Sequence, residues 1–406
     1  MTTTAEHDIA LLALLQMAIP TITACTIIDT IVQANAQGCR VAVEPPHHTE
    51  LFVKRVIASD YSHKKQWTDL QRTLVYGRTE VRFYKEILPR LPCMANYAPH
   101  CHIAEYNLEG LIGENTSSSA SETIPQHLQS MTGIGAFLVL DSVGADFYQE
   151  SPLSQTQAAK CLEAVAQLHA AAWQNVPLLE TATRRMARGS YHLSTRNPKE
   201  LEQIVHSWQH FMEEFGDHHM FSSPSIRNLG KRLHDMAAYV SDQLTPRPLD
   251  KYATLCHGDF KAMNVFLPHN LKHNAVMIDF ASTGVGIGMS DVAMHIIHSV
   301  RPSSDDEWLV DKYLEALQRA FSPRTFAYPR ETAMRHYRLA CVDYVRFIMG
   351  RFWRDATEDS FRKMRLSKNT TLINRDVDAA MSWIAKVDVF LHEFEMEKKA
   401  AIDQQL

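Results

Sequence analysis

The sequence predicts an α+β chain with a small strand-rich front and a larger, mainly helical back. Two patterns carry that expectation. Up to Asp141, short runs rich in β-branched and aromatic residues are separated by turn-forming residues; beyond it, apolar residues recur at helical spacing. Size agrees: 406 residues, 45% hydrophobic and 21% charged, can fill the cores of one two-lobed enzyme or two modest domains.

Residues 1–36 read as a helical extension, with Asp8 as N-cap and Pro20 as a break. From Ile9 to Ile28 there is no formal charge, yet Gln16, Pro20 and several threonines interrupt the stretch, and Glu6 and Asp8 stand where a signal peptide wants Lys or Arg. A spanning helix also needs about 20 predominantly apolar residues. A buried or covering helix is therefore expected, with no membrane partner. Residues 37–141 form the front lobe. Arg40–Glu44 and Leu51–Val56 read as strands joined by a Pro45-Pro46 turn, and Arg78–Leu91 as a helix with Val81, Tyr84, Ile87 and Leu88 on its apolar side. His102–Tyr106 and Ala136–Leu140 form a further strand pair around a Ser/Glu/Gly-rich insertion at 107–131.

Residues 142–406 form the helical lobe. Gln155–Trp173 repeats apolar residues at helical spacing, and 200–243 continues in the same way. Short strands at Leu255 and Val265 and a third at Val276–Phe280 precede the last helices. The formal charge of −5 leaves no basic footprint for nucleic acid. Seven cysteines without a Cys-x-x-Cys pair read as reduced thiols in a cytoplasmic protein.

Chemistry concentrates in Leu255-Cys-His257-Gly258-Asp259-Phe-Lys-Ala-Met-Asn264 and in Val276-Met-Ile-Asp279-Phe280. An Asp, an Asn five residues on and a second Asp after an apolar strand are what phosphoryl transfer needs. One carboxylate orients and deprotonates a hydroxyl, and two oxygen groups hold Mg²⁺. Protein kinases carry the same Asp-x-x-x-x-Asn interval, with His-Arg-Asp where this chain has His257-Gly258-Asp259. Upstream, Lys54 follows Leu-Phe-Val on a strand, where a kinase holds the α- and β-phosphates, and Glu80 on the next helix can pair with it.

In this form the motif resembles the aminoglycoside phosphotransferase and choline kinase branch of the protein-kinase-like fold, and is nearest to the CHK-kinase-like (ecdysteroid kinase-like) family. The resemblance implies ATP and Mg²⁺ as cofactors, with Asp259 as catalytic base and Asn264 and Asp279 as metal ligands. Glu80-Val-Arg-Phe83-Tyr84 is similar to the family's Glu before a Phe-Tyr pair, and Leu138-Val139-Leu140-Asp141 to its lobe-linking segment, whose backbone meets adenine. His257 becomes a structural histidine, and Asp291 the residue that caps the following helix and steadies the catalytic loop. Departures are also visible. The front strands hold only Gly38, without a Gly-rich phosphate loop, unless Ala34–Gly38 builds one; Asp141-Ser142 replaces a Glu-Asp pair.

Gly284, Gly286 and Gly288 fit a flexible link to Asp291 better than a dinucleotide fingerprint. Cys93, His100, Cys101 and His102 offer a zinc reading beside that of an ordinary strand entry. Only eleven residues separate Asp279 from Asp291, too few for a peptide-holding activation segment, which favours a small-molecule alcohol acceptor. Asp343, Tyr344, Phe347, Phe352, Trp353 and Trp383 could form its pocket or pack as core. Steroid-like, choline-like and aminoglycoside-like acceptors all stay open. The alternatives in other classes are a catalytically silent nucleotide- or ligand-binding pseudokinase and a metal-dependent hydrolase.

Overall fold

The computed structural model of the protein describes residues 11–17, 19–32, 36–44, 49–108, 133–188, 193, 198–216, 218–270, 272–303, 306–321 and 328–404. The chain divides into two compact units. The first comprises residues 1–147, 184–186 and 276–283; the second comprises 148–183, 187–275 and 284–406. The first carries the large sheet and the second is mainly helical, so the α+β division is present.

In the first unit, β1 (Ala24–Val32), β2 (Gln37–Glu44), β3 (Thr49–Ile57), β4 (Cys101–Asn107) and β5 (Gly135–Asp141) form one antiparallel sheet in the order β1-β2-β3-β5-β4. Leu15, Ile22, Val41, Val43, Leu51, Val53 and Val139 make a buried apolar cluster around it. The helix α1 (Trp67–Arg82) packs against β5 and passes directly into a π-type turn at Phe83–Ile87. It starts eleven residues before the helix expected at Arg78, because Trp67, Leu70 and Leu74 extend the buried face N-terminally.

The expected helical extension over 1–36 needs correction. Residues 11–17 are helical, but Ala24–Val32 is a strand paired with β2. Six of the seven residues from Thr26 to Val32 are β-branched, which restricts the side chains in a helix and suits a pleated surface. Asp8, the Pro45-Pro46 turn, most of the 107–131 insertion and the candidate phosphate loop at 34–35 lie outside the described residues.

The second unit is built from long helices, among them Gln155–Ala172, Pro198–Glu214, Leu229–Gln243, Asp306–Phe321, Arg330–Phe352 and Val377–Asp403. The first is started by a capping box in which the Ser154 and Gln157 side chains and backbones satisfy each other. Ala253–Cys256 pairs antiparallel with Gly284–Ile287. Hence the glycine-spaced segment is a buried strand instead of a flexible link. A Cβ on Gly288 would sit 2.7 Å from His169 Nδ1 and 2.8 Å from the Tyr313 hydroxyl, so close packing demands that glycine. Tyr344, Phe347, Trp353 and Trp383 are at most 3% exposed, and Trp353 stacks on Phe211 at 4.1 Å. They pack as core. Among the described residues no helix is long and apolar enough to cross a membrane.

Candidate active site

The first unit gathers three of the expected residues. Lys54 lies in β3 between Gly38 of β2 and Leu138 of β5, which fixes its backbone on both sides. Its ammonium is 2.6 Å from Glu80 Oε2 and 2.8 Å from Asp279 Oδ1. Exposure falls from 29% at Asp279 to 11% at Lys54 and 2% at Glu80, so the cluster runs from a wet end to a dry one. Burial alone would pull the Lys54 ammonium down, but the charges of Asp279 and Glu80 hold it well above its ordinary value. Burial pushes the Glu80 carboxyl up to about 7, against the pull of Lys54 and a hydrogen bond from the Phe280 backbone.

Asp279 owes its place to backbone and aromatic packing. The expected strand stops at Met277, and Asp279 adopts the left-handed conformation, with φ 63° and ψ 61°. A non-glycine residue there costs of order 1–3 kcal/mol, which the surroundings must supply. They do so through Phe280, whose ring stacks on Phe83 at 3.9 Å and meets Tyr84 edge-on at 5.8 Å. The Glu80–Tyr84 pattern thus holds both the acid that grips Lys54 and the rings that pin the Asp279 turn.

The remaining expected residues lie in the second unit, on the loop after Ala253–Cys256. Gly258 has φ +84°, a conformation that glycine adopts without the Cβ penalty. Asp291 holds this loop: Oδ2 accepts from the His257 N–H at 2.7 Å and Oδ1 from the Gly258 N–H at 2.9 Å. His169 Nε2 lies 3.1 Å from Asp291 Oδ2, and its Nδ1 lies 2.8 Å from the Tyr313 hydroxyl. Because a carboxylate only accepts, Nε2 carries the proton and a neutral ring accepts from Tyr313. Burial would raise the Asp291 carboxyl, yet the hydrogen bonds from His169 and the Gly258 N–H bring it below its ordinary value.

Asn264 donates through Nδ2 to the Asp259 carbonyl at 2.8 Å and to Asp259 Oδ2 at 3.1 Å. This leaves its amide oxygen as the acceptor end. That oxygen is a hard donor of the kind magnesium prefers, and so, within the first unit, is the Asp279 carboxylate. Lys261 completes the loop, its ammonium 2.9 Å from Asp259 Oδ2. His257 is fully buried, and its Nδ1 accepts a long 3.4 Å bond from the Asp259 N–H, as suits a structural histidine.

Leu138 and Leu140 belong to a strand with β3 on one edge and β4 on the other, so their backbone groups face strand partners on both sides. Asp343 forms a buried ion pair with Arg346 at 3.1 Å, which removes it as a ready partner for an ammonium ligand. Three residues escaped the sequence reading. Lys261 could have been found, since it lies inside the motif; His169 and Tyr313 leave no local signal beyond a polar residue on an otherwise apolar helical face.

Among solved structures, the chain resembles an amicoumacin kinase at 12% identity, covering 95% of this chain and 96% of that one, with a TM-score of 0.45. It also resembles a spectinomycin phosphotransferase at 12% identity, with coverage of 95% and 98% and a TM-score of 0.43. A choline kinase from Streptococcus pneumoniae is 11% identical, with coverage of 93% and 99% and a TM-score of 0.40. No protein of curated function matches the sequence significantly. The profile of the ecdysteroid kinase-like family matches residues 37–322, more than two thirds of the chain, and the chain accordingly belongs to that family.

Proposed function

We propose that the protein is a small-molecule O-kinase that moves the γ-phosphate of ATP to a hydroxyl group in a Mg²⁺-dependent reaction. The observation that carries this reading is Lys54 held between Glu80 and Asp279, with an ion pair on each side. A metal-dependent hydrolase would have no use for that fixed cation. Magnesium nucleotide would supply the phosphoryl group and neutralise its charge, with Asn264 and Asp279 as the metal-holding residues.

The chain's own groups then have distinct tasks. Lys54 binds phosphate oxygens, and Glu80 keeps it from collapsing wholly onto Asp279. Asp259 orients the acceptor hydroxyl and takes its proton as it attacks, while Lys261 and Asn264 fix the carboxylate. Positioning and charge carry the rate, since no covalent enzyme intermediate is needed. The family name and the pairing of Asp343 with Arg346 favour a lipophilic, steroid-like alcohol over a quaternary ammonium substrate. An intact Lys54, Glu80, Asp259, Asn264 and Asp279 set speaks against the pseudokinase alternative.

Thermal unfolding with ATP, with Mg²⁺ and with both tests the nucleotide site. A ligand at 100 times its Kd adds about 2.7 kcal/mol of stability. The expected shift needs both additives and is lost in Asp279→Ala; turnover is then sought by phosphate transfer to a panel of alcohols. Binding without transfer to any acceptor would support the pseudokinase instead, and no shift would sink the nucleotide site itself.

A further inference from the structure

Outside the phosphotransfer residues, two histidines and an aspartate meet on the first unit's sheet. Donor atoms of His100, His102 and Asp141 all lie within 4.8 Å of one another. We propose that these three residues bind a borderline divalent transition metal, zinc in the first instance, that clasps the ends of β4 and β5.

Three features of the sheet support this. The Asp141 N–H donates to the His100 carbonyl at 2.9 Å, which sets those two residues opposite each other. The β4–β5 register shifts between Cys101 and Ile103, so His102 is the extra residue of a bulge, a device that re-aims a side chain. Its Nε2 lies 2.7 Å from Asp141 Oδ1, and its ring meets that of His100 edge-on at 4.6 Å. The zinc reading of this stretch also included Cys93 and Cys101. Instead, the Cys101 thiol donates to the Ile103 carbonyl at 3.2 Å and is pushed up to about 12 by burial.

Ligand chemistry separates this site from the magnesium residues. Two imidazoles and one carboxylate suit zinc and its neighbours, whereas magnesium prefers oxygen alone. Zinc bonds of 2.0–2.2 Å in a tetrahedron hold ligand atoms about 3.4 Å apart, so the widest pair needs to close by no more than about 1.4 Å, while the His102–Asp141 pair at 2.7 Å opens by about 0.7 Å. When Nε2 of His102 takes the ion, its proton moves to Nδ1 and the ring stays neutral. Asp141 then trades its hydrogen bond for a metal bond. The side chains of His102 and Asp141 are 22% and 48% exposed, which leaves an entry path and a fourth position for water.

The test is calorimetric titration of Zn²⁺ into the full chain without nucleotide, on the wild type and on His102→Ala, His100→Ala and Asp141→Asn. Cobalt absorption in the visible range is recorded in parallel. One equivalent bound by the wild type, at least tenfold weaker in every variant and not displaced by excess Mg²⁺, is expected. A tetrahedral cobalt spectrum that fades in the variants should accompany it. Asp141→Asn retains an oxygen acceptor for His102, so it keeps the test sound if a histidine variant folds poorly. No saturable binding, or equal affinity in all four proteins, would overturn the site.

Discussion

Both units bury a carboxylate, and the two are treated oppositely. Glu80 has Lys54 and one backbone N–H as partners, and its carboxyl is raised to about 7. Asp291 has two backbone N–H groups and His169, and its carboxyl is lowered. The difference lies in what each acid holds. Asp291 fixes backbone, so every lone pair that matters is satisfied and the loop is rigid. Glu80 holds a cation that, in the proposed reaction, also serves a ligand, so its stabilisation is incomplete and its charge can be withdrawn near neutral pH.

The largest effect should come from the rigid side. Asp291→Ala strips two buried N–H groups and His169 of their acceptor, and a loss of about 3–5 kcal/mol is expected in denaturant unfolding. A loss below about 1 kcal/mol would mean that the loop is held by something else. Next comes Asp259→Ala, which should lower phosphate transfer by about 10²–10⁴-fold and leave nucleotide affinity nearly intact. Transfer within threefold of wild type would remove Asp259 from its role as base. Lys261→Met, which frees the Asp259 carboxylate on one side, should cost less, on the order of tenfold in kcat. An unchanged kcat would reduce Lys261 to a surface ion pair.

The smallest effect concerns pH. The folded pKa of Glu80 is raised from 4.5 to about 7, so its contribution to stability is complete below 4.5 and disappears as pH rises through 7. The melting temperature of the wild type relative to Glu80→Gln should therefore fall between pH 6 and 8. Nucleotide affinity of the wild type should rise over the same interval as ionised Glu80 secures Lys54, and Glu80→Gln should flatten it. Asp291 has the opposite sign: with its folded pKa below 3.8, its contribution is present above 3.8 and disappears only as acid reaches that lower value. Parallel pH profiles for the two acids would erase the distinction between them.

How much was legible in the sequence follows from how local each signal is. Asp259, Asn264 and Asp279 could be read because loop geometry ties them to fixed intervals along the chain. Lys54 and Glu80 gained meaning only from their order ahead of that motif, and they prove to be 2.6 Å apart. By contrast, His169 reaches Asp291 across 122 residues of chain and Tyr313 reaches His169 across 144, and no spacing rule reveals such meetings. The apolar start of the chain misled because helix 11–17 and strand Ala24–Val32 share one mostly apolar composition, with Asp29 the single charge in the two. Aromatic spacing in Arg330–Phe352 was ambiguous by nature, since a ligand box and a packed helix face have the same period.

The Phe83–Phe280 stack has a practical consequence. The turn that presents Asp279 is anchored by ring against ring as well as by the ion pair to Lys54. A double variant lacking the Asp259 and Asp279 carboxylates should keep its shape while losing turnover. Such an inert copy can be immobilised, exposed to fractionated extracts of small alcohols and washed, and what it retains can be identified by mass spectrometry. The packing of two phenylalanines thus makes the protein its own bait for finding the acceptor of the proposed reaction.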